Sequence, residues 1–440
     1  RGPQRSPADP SRLNANLYVS EGGAIRQLTF LLDQEISPSF MVDGRLIFTA
    51  EKRAPGFYQL AGRRMNLDGG DYHPLFGQRA TVGFDQFTEV VELADKNFAA
   101  ILGQRGAARG AGTLAIVNRS LGIDQRSTRA EDYLQSPAAM TWPNEAFYQH
   151  SLHLPDPAAT GELAGTSGAY LSPSALPSGK VLVSYVPEAT ELGRIANSFG
   201  LYALDPLTGA RRELLRDAAD LLWPVAVYAR APRPIFRSRI DEPNGATQVD
   251  PSPERRAIAE VTFLDVPLLS SLLFQNTRSG RPLGAVGAVE LWEQLPPEPG
   301  VVDYASGGAF VTNDSFGPLY ARRRSLGRFL PSADGSARVR VPGGVPLNLA
   351  LEVQLDGDAE PVLHHQREAL QFYPGETLRQ GFRRQLFNGV CGGCHGSVSG
   401  LENDIAANPD ILTRASEVLA RDQDPIEYTA RGEVRGPDFR

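Results

Sequence analysis

Cysteine is almost missing from this chain of 440 residues, which holds only Cys391 and Cys394. No second cysteine pair exists to complete a four-ligand structural zinc site. Methionine is rare as well, and Met41, Met65 and Met140 all lie far upstream of the cysteines. Of 44 basic residues only Lys52, Lys96 and Lys180 are lysines, an arginine bias that reports a GC-rich genome more than a function. The net charge is −7. That balance lacks the positive field needed to grip a phosphate backbone, so nucleic acid is not an expected partner. No apolar run approaches the ~18 residues of a membrane-spanning helix, and no transmembrane segment is expected. The chain opens at Arg1 with neither an initiator methionine nor an apolar signal region, as a processed product or a fragment would.

Present in excess are 44 glycines and 34 prolines, above the usual ~7% and ~5% and a sign of many turns. With 41% hydrophobic and 22% charged residues, the composition is globular and the length suits two to four domains. Residues 1–15 are polar, aperiodic and proline-containing, and read as an arm. A cassette then recurs. Ser37-Pro38-Ser39 leads through Val42-Asp43-Gly44 into Arg45–Ala50, and Ser172-Pro173-Ser174 leads through Pro177-Ser178-Gly179 into Lys180–Tyr185. A degenerate copy between them turns at Ala94-Asp95-Lys96 and runs into Asn97–Leu102. Each copy precedes a second strand and turn, and the first two are about fifty residues apart, which fits four-stranded propeller blades. An insertion is expected at 123–166. Three copies are fewer than a closed propeller needs, so further blades lie upstream of Arg1 or in divergent form within 221–290. The cassette, with RQLTF at 26–30 and RRMNLDGGD at 63–71, resembles the WD40-like propeller repeats of TolB-type proteins.

Beyond 244 the pattern changes. Leu347, Leu349, Leu351, Val353 and Leu355 alternate with Asn348, Ala350, Glu352 and Gln354, the period-two signature of a strand with one buried and one wet face. Residues 245–362 are therefore expected to form an immunoglobulin-like sandwich. The remainder, 363–440, is expected to be a small helical c-type haem segment with a helix at 409–420. The expected fold is mainly β: propeller (16–244), sandwich, then haem segment.

Cys391-Gly392-Gly393-Cys394-His395 carries the chemistry. Two thiols one turn apart reach the vinyl groups on one edge of a porphyrin, and the following imidazole becomes the proximal iron ligand. A thioredoxin-like thiol pair is the rival, but it belongs at a helix start in a βαβ unit, a pattern this region lacks. One covalent haem c is therefore expected, with export to a periplasmic or extracellular compartment. No methionine or histidine follows His395, so the distal ligand must come from upstream or be missing. His365 is the first candidate and His364 the second; Tyr373, a propeller histidine, another chain and an open iron are the alternatives. Arg383 and Arg384 are candidates to pair with the haem propionates, guanidinium matching carboxylate bidentately. Calcium is a secondary expectation at Asp43, Asp68, Asp71 and Asp95, although turn chemistry alone also accounts for these residues.

Taken together, the propeller cassette, Gly327–Phe329, Pro342–Leu347, Gln366–Glu368, Tyr373–Glu376 and the Cys-x-x-Cys-His motif resemble the hydrazine synthase alpha-subunit-like family. The resemblance implies a periplasmic propeller protein with a C-terminal haem that passes electrons, and a distal histidine for it. That family's further haem, where its N–N chemistry resides, has no counterpart motif here. The leading expectation is an exported monohaem cytochrome c that transfers single electrons, with propeller and sandwich as docking scaffold for a redox partner protein. The alternatives are a haem oxidoreductase binding a small nitrogenous ligand, and a non-catalytic subunit of a larger redox assembly.

Overall fold

The structure, a computed structural model, describes residues 5–6, 9–54, 57–76, 84–117, 152–230, 232–236, 238, 247–255, 257–267, 285–297, 311–354, 359–380, 424–428 and 434–435. Residues Cys391, Cys394, His395, Arg383, Arg384 and the expected helix at 409–420 lie outside this set. The fold is mainly β, with propeller blades followed by a sandwich.

Three four-stranded antiparallel sheets form the blades. The first contains Glu35–Phe40, Leu46–Ala54, Phe57–Met65 and His73–Phe76. Gln86–Glu92, Phe98–Gly103, Thr113–Val117 and Leu152–His153 make the second, and Ala169–Ala175, Val181–Val186, Gly200–Leu204 and Arg211–Leu215 the third. The last strand of the second blade falls within the stretch expected to be an insertion, where Leu152–His153 pairs with Thr113–Val117.

The recurring cassette has a recurring geometry. In its turn, the amides of Met41, Leu93 and Leu176 donate to the carbonyls of Arg45, Asn97 and Lys180. The amides of Gly44, Lys96 and Gly179 donate back to the carbonyls of Met41, Leu93 and Leu176. These three residues have φ of 88°, 75° and 83°, the left-handed region that glycine enters without steric cost. Lys96 takes up with a side chain the conformation its two counterparts reach without one. At Gly44 a Cβ would also lie 1.9 Å from the Pro234 carbonyl oxygen.

Four residues before each turn, a bulge shifts the register of the first strand. Its residue, Ser37, Glu89 or Ser172, has φ of 53°, 52° or 51°. A bulge bends a strand and raises its twist, and here it shapes the innermost strand of every blade. Apolar residues pack between blades: Met41, Ile47, Phe87 and Phe98 between the first and second, and Ile101, Leu114, Tyr170 and Val183 between the second and third. Every residue of Phe98–Gly103 is buried, as expected for a strand covered on both faces. Burial of Phe87 and Phe98 contributes roughly 1.5–3 kcal/mol each.

After the third blade the chain follows the same inner path without forming a strand. The Leu221 amide bonds to the Phe199 carbonyl, at the entry to a third strand, just as Tyr170 bonds to Gly112 one blade earlier. Two residues further on, Trp223 has φ of 51°, so Trp223-Pro224-Val225 occupies the place of Ser172-Pro173-Ser174. The chain then crosses to the first blade, where Leu67 donates to the Phe236 carbonyl at 3.1 Å.

The sandwich has a larger sheet ordered Thr247–Val249, Glu376–Gln380, Ile258–Phe263, Ala337–Pro342, Ile426–Tyr428, Val434–Arg435. Its smaller sheet is ordered Arg323–Phe329, Ala285–Gln294, Leu347–Gln354, Val362–His365. Between them lie Val261, Phe263, Leu291, Phe329, Val339 and Leu349, with the rings of Phe263 and Phe329 stacked 6.1 Å apart.

Two features differ from expectation. The boundary placed at 362 falls inside the sandwich, because Glu376–Gln380 inserts parallel to Ile258–Phe263 and antiparallel to Thr247–Val249. Leu378 joins the core. A parallel neighbour needs a long crossover, so local sequence does not reveal where that strand belongs. The outer face of Leu347–Gln354 is also drier than its alternation implies. Asn348 and Ala350 are buried because the chain folds back over them, Leu370 pairing with Leu347 and Asn348 donating to the Glu368 carbonyl at 2.9 Å.

The returning segment also joins sandwich to propeller. Lys52 Nζ lies 2.9 Å from Glu368 Oε1, Gln371 Oε1 accepts from the Phe30 amide at 2.6 Å, and Glu376 Oε1 accepts from the Asp71 amide at 2.8 Å. Among the described residues no helix is long and apolar enough to cross a membrane.

Candidate functional site

His364 and His365 end the edge strand of the smaller sheet, and both are buried. Strand alternation sends their rings to opposite faces. His364 is opposite Leu351 in the register, on the core side, and its ring stacks on Phe316 at 3.6 Å between centroids. His365 is opposite Ala350, and its ring meets Trp292 edge-on at 5.5 Å.

An exposed edge strand would leave two such rings wet. A short hairpin, Val311–Asp314 with Gly317–Tyr320, prevents this, and a buried ion pair holds it in place. Arg367 Nη1 and Nη2 donate to Asp314 Oδ2 and Oδ1 at 2.8 and 2.5 Å. Arg367 also donates to the carbonyls of His365 and Gly317, at 2.5 and 2.9 Å. Asp314 accepts in turn from the amides of His365 and Phe316, at 3.1 and 2.8 Å. One carboxylate and one guanidinium thus pin Phe316 against His364. Burial, the largest single effect, would raise the Asp314 carboxyl, but the Arg367 hydrogen bonds and charge together with the His365 and Phe316 amides outweigh it and hold the group below the usual carboxylate value.

Both imidazoles are neutral near pH 7. Burial lowers His364 to about 4, with Arg367 adding to the effect. His365 falls to about 3 through burial and the nearby Arg323. The Nδ1 of His365 lies 2.7 Å from Arg323 Nη1. A guanidinium can only donate, so Nδ1 is the acceptor and the neutral ring carries its proton on Nε2. The Arg323 guanidinium also lies 4.9 Å from the Trp292 ring centroid. Two buried donors beside His365, Trp292 Nε1 and Arg323 Nε, have no hydrogen-bond acceptor among the described residues.

The other sequence candidates are placed as follows. Tyr373 is buried at the propeller–sandwich junction, where its hydroxyl accepts from Arg26 Nη1 at 2.7 Å. Of the propeller histidines, His150 lies outside the described residues, while His73 and His153 contact Asp71 at 3.7 Å and the Pro206 carbonyl at 3.2 Å. The turn aspartates serve local bonds: Asp43 with Arg45, Asp68 with Gly70 and Ser238, Asp71 with Arg64, and Asp95 with Asn97. No group of three or more His, Cys, Asp or Glu side chains able to hold a metal ion occurs among the described residues.

Sequence reasoning missed Arg323, Trp292, Asp314 and Arg367. Asp314 and Arg367 are fifty-three residues apart in sequence, and nothing in either local pattern marks them as partners.

No protein-family model matches the chain, and no curated protein matches it. Among solved structures, one from Kuenenia stuttgartiensis described as hydrazine synthase is similar at 15% identity and a TM-score of 0.52. The likeness covers 81% of this chain and 44% of that one, so this chain spans less than half the length of its structural relative. At that identity what the two share is a fold: this chain is built like part of the Kuenenia stuttgartiensis hydrazine synthase.

Proposed function

We propose that this chain is an exported c-type cytochrome protein that carries one haem on Cys391, Cys394 and His395 and transfers single electrons to or from a redox partner. The observation carrying this reading is the Cys-x-x-Cys-His motif, placed where the chain spends its only two cysteines. When bound, the haem supplies an iron that alternates between ferric and ferrous states. The protein's own residues supply the attachment thiols, the proximal imidazole and the surroundings.

The described side chains suit such a group. Uncharged imidazoles are what an iron ligand requires, and His364 and His365 are both uncharged at neutral pH. The orphan donors Trp292 Nε1 and Arg323 Nε call for an acceptor, and a propionate carboxylate would satisfy them. Arg323 is thus a candidate for that role alongside Arg383 and Arg384. Between the histidines, ligation by His365 Nε2 would require its proton to move to Nδ1 and the Arg323 bond to be given up. Ligation by His364 would in turn disturb its stacking on Phe316, so both histidines stay candidates in the order expected from sequence.

The Arg323–His365 bond also supports a second reading, an iron without a protein ligand opposite His395 that binds a small nitrogenous molecule. The two readings differ in spin state. A low-spin ferric spectrum unchanged by added nitric oxide supports electron transfer, and a high-spin spectrum perturbed by it supports ligand binding. Attachment is tested first: the alkaline pyridine spectrum of purified protein should show thioether-linked haem, and Cys391→Ala with Cys394→Ala should abolish it.

A further inference from the structure

We propose that the recess where the three inner-strand bulges meet Trp223 binds a small organic ammonium ion. It is lined by Ser37, Glu89, Ser172 and Trp223, each with the two residues that follow it, and has a volume of about 230 Å³. The site is built by the propeller alone and does not depend on haem.

The lining contains one charged side chain, the carboxylate of Glu89, and no Lys, Arg or His. Its Oε2 accepts from the Ser172 amide at 2.6 Å and its Oε1 from Trp223 Nε1 at 3.2 Å. An ionised carboxylate offers about four lone-pair positions, so these bonds orient Glu89 and leave acceptor capacity for a ligand. Burial raises its carboxyl above the ordinary value, and a cation beside it would restore the charged form. Trp223 is 72% exposed at the same recess, and an indole face is the strongest aromatic partner for a cation. Pro38, Pro173, Pro224 and Val225 belong to the apolar part of the lining, and its serines carry hydroxyls that can accept from an ammonium group.

Size and sign restrict the occupant. The recess is smaller than the ~300–1,000 Å³ of sites for drug-sized ligands, and an anion would face Glu89 with no compensating positive side chain in the lining. Four non-glycine residues held in the left-handed region, Ser37, Glu89, Ser172 and Trp223, store backbone strain of the kind that concentrates at ligand sites. What fits is a primary ammonium group on a short aliphatic body.

The test titrates the full chain with n-butylammonium chloride by calorimetry, against sodium chloride at equal ionic strength and against sodium n-butyrate. One saturable site for the ammonium and none for butyrate is expected. Affinity should fall at least tenfold in Glu89→Gln and in Trp223→Phe, with circular dichroism unchanged. If Glu89→Gln does not fold, Trp223→Phe decides, since its exposed side chain supports little of the core. Absence of saturable heat, or equal affinity in a folded Glu89→Gln or Trp223→Phe protein, overturns the proposal.

Discussion

Replacing Asp314 with alanine removes the centre of the clamp over His364. Asp314 and Arg367 each have side chains only 9% exposed, and the carboxylate accepts four hydrogen bonds: two from Arg367 and one each from the amides of His365 and Phe316. Truncation leaves a guanidinium buried without its counter-charge, a loss of about 3–5 kcal/mol. Most of that cost comes from the stranded charge. Arg367→Met in the same background should therefore return part of it, giving a coupling of about 2 kcal/mol or more in a double-mutant cycle followed by urea unfolding. The pH dependence has a definite sign. Asp314 is held below the usual value in the folded state, so its contribution is full above about pH 4, the unfolded aspartate value, and fades as pH drops further through the folded value. A loss under 1 kcal/mol, or a double variant as unstable as the sum of the single ones, would refute the idea that this pair holds the hairpin over the histidine.

Other expectations follow from the same geometry. Glu35 is buried, accepts from Asn16 and Thr29 at 3.0 Å each, and is raised by burial to about 8. The unfolded group ionises near 4.3, so stability should decline between about pH 4.3 and 8 by a few kcal/mol; urea midpoints in Glu35→Gln should show a flatter slope, and an unchanged slope would contradict this. Lys96→Gly relieves a left-handed side-chain residue and should stabilise the second blade by about 0.5–1 kcal/mol, read as a higher Tm. Gly44→Ala places a Cβ 1.9 Å from the Pro234 carbonyl oxygen at φ 88°. It should destabilise the protein by about 2 kcal/mol or more and speed proteolysis within 221–238; equal cleavage rates would show that the crossing chain at Pro234 does not rest on that turn.

The cassette of turn and strand was legible because it is local. Glycine, or Lys96 in its stead, marks each left-handed turn, and Ser-Pro marks two of the three bulges. The fourth copy was hidden because Trp223-Pro224-Val225 keeps the left-handed residue before proline but has no strand pairing and no glycine turn four residues later. In the sandwich, alternation at Leu347–Gln354 located a strand, yet the covering of its outer face depends on Leu370 and Glu368, beyond the reach of a period-two pattern. The two histidines were identified from sequence as candidate ligands. Their burial was not foreseeable, since it is imposed by Asp314 and Phe316 through an ion pair that joins distant segments.

Covalent haem is the central claim, and mass spectrometry of the intact denatured chain tests it most directly. The account predicts a mass increment of one haem per chain that survives acid–acetone extraction, maps to the peptide containing Cys391 and Cys394, and disappears when both are alanine. A chain produced with its native maturation machinery that carries no such increment would contradict it.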